Sequence, residues 1–119
     1  MRMNQVKLEI MVSDILKSMG VPAHILGYKY LRHAIVLVVN DGKMMETVTK
    51  KLYPSVANQF NSTPTRVERA MRSAIDAAWA RKTDAFAENF KYSGGSASNS
   101  EFIATIADCI YLKELGAKK

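Results

Sequence analysis

The 119-residue chain is the size of one domain and can bury a single core without metals or disulfides. Hydrophobic residues at 48% and charged residues at 24% are ordinary for a folded soluble protein, while a net charge of +6 and a pI of 9.6 suggest a polyanionic partner. The single Cys109 excludes an intrachain disulfide, and Lys7, Glu9 and Asp14 break the N-terminal apolar pattern, which excludes a signal peptide or a spanning helix.

The expected setting is therefore the cytoplasm, with no membrane contact, and Cys109 reads as a buried structural thiol. Val6, Ile10, Met11, Ile15, Leu16 and Met19 form the inner stripe of a first helix, stopped by Gly20 and Val21-Pro22. A second helix runs from about Ile25 to Asn40 with Tyr28, Leu31, Ile35, Val38 and Val39 inward. Asp41-Gly42 makes a turn, and a third helix covers roughly Lys43 to Leu52, using Met44, Val48 and Leu52. Pro54 opens a new short helix that ends near Phe60, because a first-turn residue needs no intrahelical amide bond.

Asn61-Ser62-Thr63 is the next turn, and Thr63 followed by Pro64 marks a helix start. In that helix Val67, Ala70, Met71, Ala74, Ile75 and Ala78 make one apolar stripe. Another helix spans about Asp84 to Phe90. SGGSASN, residues 93–99, is the low-complexity stretch and is expected to be a mobile loop. Ser98 and Glu101 form an S-x-x-E capping box for a last helix with Phe102, Ile103, Ile106, Ala107 and Ile110 inside, ended by Gly116. The whole reads as a single all-α domain, about six helices around one core, with residues 1–4 and 116–119 frayed.

Tyr53–Arg81 carries the chemistry. A short helix, a polar turn and a basic amphipathic helix describe a helix-turn-helix that reads double-stranded DNA. Opposite the apolar stripe lie Thr65, Arg66, Glu68, Arg69, Arg72 and Ser73, side chains that bond to bases or phosphates. Ala57 suits a close helix crossing, and Val67 must pack toward Val56 and Phe60. Arg66 and Arg69, one turn apart near the helix start, each suit guanine O6 and N7. Glu68 either accepts from a cytosine N4 amine or orients an arginine, and the base contact is the preferred reading. Arg72 reaches a phosphate, and Ser62, Thr63 and Thr65 hold backbone oxygens together with the helix N-terminal amides.

Enzyme readings find no support. His24 and His33 stand nine apart with no Cys at ligand spacing, the carboxylates are scattered, and GGSAS lacks the Lys and preceding strand of a phosphate loop. No cofactor, metal or catalytic residue is expected, and His33 reads as a surface or boundary residue.

Three blocks, GVPAHILGYKYLRHAI (20–35), TKKLYPSVANQFNSTPTRVERAMRSAIDAAW (49–79) and SNSEFIATIAD (98–108), resemble the DNA-binding effector domain of stage-zero sporulation protein A, a sporulation response regulator. The resemblance extends from about Val6 to Leu112. It implies a helical domain that binds TGTCGAA-like boxes, often in tandem, and that activates or represses through RNA polymerase sigma factors. Arg66, Glu68 and Arg69 match the family's base-reading positions and Arg72 a phosphate-contacting one. The segment from Lys82 to Lys91, with Lys82, Asp84, Glu88 and Lys91, is similar to the region used toward the sigma factor.

This chain departs from the family pattern in places. Ser73 stands where the family usually has a histidine, which implies a weaker backbone contact there. SGGSAS replaces a loop that tends to carry lysines and a proline, and the Lys82–Lys91 segment lacks the usual glycine. No receiver domain fits ahead of Met1, so the sequence reads as a cut-down or free-standing effector domain. The competing reading is an interaction module of the same fold that binds a sigma factor or a full-length relative without specific DNA affinity.

Overall fold

A computed structural model describes residues 4–91 and 93–117, and over these the chain is helical with no strand. The elements are α1 (Gln5–Ser18), α2 (Leu26–Asn40), an irregular helical segment (Gly42–Leu52), α3 (Tyr53–Gln59), α4 (Pro64–Arg81), α5 (Asp84–Phe90) and α6 (Asn99–Ala117). None of the described helices is long and apolar enough to cross a membrane.

The central element is α2, packed against α1, α3, α4 and α6. Its apolar residues are spread around the helix, so Tyr28, Tyr30, Leu31, Ala34, Ile35, Val36 and Val38 are all buried. At its start Gly27 lets α4 approach closely: a Cβ there would lie 2.2 Å from the Ala70 carbonyl oxygen and 2.7 Å from the Ala74 Cβ. Ala70 and Ala74 are the small residues on the α4 side of this crossing. The basic helix is thereby seated directly on the core.

The face that the first helix turns inward overlaps the expected one only in part, with Leu16 and Met19 buried and Met11 and Ile15 packed half-buried against the core as expected. Leu8, Val12 and Leu16 are fully buried and Met19 nearly so, whereas Val6 and Ile10 are 65% and 55% exposed. Apolar side chains occupy a wide arc of α1, and periodicity within one helix does not say which part of the arc meets α2. Gly20 ends α1 as expected, at φ +91°, with Val21 N–H bonded to the Leu16 carbonyl and Gly20 N–H to that of Lys17.

The expected third helix is not a regular α-helix. It is a 3₁₀ segment over Gly42–Thr47, capped by the Asp41 carboxylate on the Lys43 N–H, followed by a π turn over Val48–Leu52. This turn runs straight into α3, with the Tyr53 N–H bonded to the Val48 carbonyl. Pro54 has no N–H to give to a carbonyl four residues back, and its ring would crowd that carbonyl, so the wider π turn relieves the approach.

Nor does the serine-glycine stretch hang loose. The Ser96 hydroxyl donates to Asp76 Oδ1 (2.7 Å), the Ser93 hydroxyl donates to the Glu101 carboxylate, and Ala97 is buried. The capping box is therefore half formed. Ser98 Oγ accepts from the Glu101 N–H (3.1 Å), but the Glu101 carboxylate turns to Ser93. Phe102, Ile103, Ile106, Ala107 and Ile110 are buried as expected, and Phe102 meets Phe90 in a stacked pair with centroids 5.3 Å apart, which fixes α5 on α6. The last helix continues through Gly116 to Ala117, beyond the expected end, while residues 1–3 and 118–119 lie outside the described part. Cys109 is only half-buried, more open than expected.

Candidate nucleic-acid interface

The turn between α3 and α4 is built by the same device that ends α1, with asparagine in place of glycine. Asn61 takes φ +52°, and the Ser62 N–H reaches back to the Ala57 carbonyl at 2.8 Å. Asparagine tolerates the left-handed region better than other side chains, so the chain reverses sharply without a glycine. Thr63 then caps α4, its hydroxyl oxygen accepting from the Arg66 N–H at 3.3 Å. That bond uses an oxygen lone pair and leaves the hydroxyl hydrogen available to a phosphate.

α4 buries Val67, Met71, Ala74, Ile75 and Ala78. Ala57 is buried in α3 beside Val56, as the close crossing requires. Phe60 sits at the edge of α3 with its ring near Tyr30 (5.3 Å) and edge-on to His33 (5.7 Å). His33 is half-buried, as a boundary residue would be; loss of hydration holds its pKa below the ordinary value, against the pull of Glu9 and with a smaller push from Arg32.

The outer face of α4 presents Thr65, Arg66, Arg69, Arg72 and Ser73, all exposed, together with Thr63 just before it; Ser62 is half-buried in the turn. Among the described residues neither Arg66 nor Arg69 is paired with a carboxylate. Glu68 is different. One carboxylate oxygen is in an ion pair with Arg72, the other is buried with no partner among the described residues, and the side chain is only 27% exposed. In the unbound protein Glu68 thus holds an arginine, the other role open to it.

Sequence reasoning missed the residues behind this face. Asn99, the first residue of α6, donates to the Tyr53 hydroxyl and to the Glu68 carbonyl. An asparagine at a helix start reads as a cap, and no periodicity signals that it turns inward. Farther along, Lys82, Asp84, Glu88 and Lys91 are exposed, with Lys91 3.9 Å from Glu88. Of these, Lys82 and Lys91 line a groove together with Trp79, Phe86 and Phe90, and Trp79 is 44% exposed. Trp79 escaped notice because α4 ends in an apolar-looking run, Ala77-Ala78-Trp79-Ala80, where a tryptophan reads as core.

Residues 12–110 match the family described as sporulation initiation factor Spo0A, C terminal. The chain belongs to this family. It is accordingly a DNA-binding effector domain of the sporulation response-regulator type, a transcription regulator and not an enzyme. The matched span contains the whole α3–turn–α4 unit, α5 and the first part of α6.

Proposed function

We propose that α4 enters the major groove of TGTCGAA-like boxes, with Arg66 and Arg69 each donating a bidentate pair to guanine O6 and N7. The observation that carries this reading is the pair of exposed, uncommitted arginines one turn apart at a capped helix start. Glu68 accepts from a cytosine N4 amine after releasing Arg72, which then moves to a phosphate. This exchange costs little, because an ion pair with so exposed an arginine is worth only a few tenths of a kcal/mol. Ser62, Thr63, Thr65 and Ser73 hold backbone oxygens on either side.

The groove beside α5 favours a protein contact in addition. An exposed tryptophan beside Lys82 suits an acidic partner surface, and a sigma factor bound alongside the DNA is the proposed occupant. Tandem or dimeric occupancy of adjacent boxes belongs to the same reading. Its competitor, a module that binds protein without specific DNA affinity, leaves Arg66 and Arg69 unexplained.

Binding to a duplex with one TGTCGAA box and to a scrambled duplex, each at two salt concentrations, decides between them. The box duplex is expected to bind more tightly at both. Equal affinity at each salt concentration would leave only electrostatic attraction and overturn the reading.

A further inference from the structure

Asn99 is the buried polar side chain among the described residues, with 8% of its surface exposed. Its Nδ2 donates to the Tyr53 hydroxyl at 3.1 Å and to the Glu68 carbonyl oxygen at 3.0 Å, so each amide hydrogen has one partner. The two partners lie on the two helices of the helix-turn-helix: Tyr53 opens α3, and Glu68 lies within the second turn of α4. A residue from a third helix therefore bridges both halves of the motif. Among the described residues the Asn99 Oδ1 has no partner, so the amide's bonds here are the two that it donates. What the amide adds is geometry. Apolar contact is non-directional, whereas a hydrogen bond to a carbonyl of α4 is directional and adds a constraint along the helix axis. The Ser96–Asp76 bond and buried Ala97 keep the start of α6 against α4, so the amide itself is held in place.

From this arrangement we infer that Asn99 is a positioning residue for base reading, fixing the axial position of Glu68, and with it Arg66 and Arg69, relative to α3. The inference rests on the DNA-reading role proposed above for those three residues. Bidentate contacts to base edges tolerate little displacement, so loss of the bridge acts on discrimination and not on general attraction to phosphate.

The test measures affinity for box and scrambled duplexes with Asn99→Ala, Asn99→Asp, Tyr53→Phe and Arg69→Ala, each checked for helicity by circular dichroism. Asn99→Ala is expected to lower the box preference about tenfold, with scrambled-duplex affinity and its salt slope unchanged within about twofold. Asn99→Asp is expected to behave like the alanine variant, because a carboxylate cannot donate to the Glu68 carbonyl. Tyr53→Phe keeps the ring and removes one partner, and is expected to lower the preference about threefold. If Asn99→Ala keeps the full preference while Arg69→Ala loses it, the positioning role is wrong and the reading role of α4 stands. If Arg69→Ala also keeps it, the DNA-reading assignment falls and the inference with it. Should Asn99→Ala fail to fold, Tyr53→Phe decides alone, and an unchanged preference overturns the inference.

Discussion

Arg69 projects from the second turn of α4 with no carboxylate among the described residues to hold it, and Arg72, one turn on, is held by Glu68. The two are expected to behave differently when removed. Arg69→Ala should cost roughly 1–3 kcal/mol on the box duplex and far less on a scrambled one, measured by titration of each. Arg72→Ala should weaken both duplexes about alike and reduce the salt slope by about one unit. A loss confined to one sequence would contradict its phosphate role. The arginine face was legible in the sequence because exposure and charge follow from helical periodicity alone. The state of Glu68 was not, since the choice between a base and the arginine one turn on is set by side-chain rotamers, which periodicity does not give.

Two close features of the elements decide where α4 sits. Gly27 meets backbone, not a movable side chain, so Gly27→Ala must push α2 and α4 apart. A loss of about 1–3 kcal/mol in thermal or denaturant unfolding is expected, and an unchanged midpoint would show that the crossing is looser than the contact distances say. Asn61 carries the left-handed turn between α3 and α4. Asn61→Ala is expected to cost about 1–2 kcal/mol in the same measurement, with Asn61→Gly neutral or better. Element starts with a local cause were legible: Thr63-Pro64 for α4, and Asp84–Phe90 for α5. The inward face of α1 and the π turn before Pro54 were not. The first depends on which part of a broad apolar arc meets α2, and the second on how the chain absorbs a proline without breaking the helical path. Ser96 and Ala97 were misjudged for a related reason. Composition reports the flexibility of a segment alone, and not the Asp76 side chain that holds it.

At the scale of the molecule, 17 Lys and Arg against 11 Asp and Glu give a net charge of +6, which attracts any duplex. On the outer face of α4 Glu68 is tied to Arg72 and Asp76 accepts from Ser96, so among the described residues Arg66 and Arg69 stand outward with no carboxylate partner. Salt and sequence should therefore act separately. Each phosphate neutralised by a Lys or Arg adds about −0.9 to the slope of log K against log salt, so affinity for any duplex should fall about 3.5-fold per such contact from 50 to 200 mM salt. The ratio of box to scrambled affinity should stay constant within about threefold over that range, because base-edge hydrogen bonds release few counterions. Titrations at four salt concentrations measure both quantities. A ratio that collapses toward one as salt rises would mean that the apparent preference arises from phosphate contacts and groove shape. A slope near zero would mean that Arg72 does not meet a phosphate.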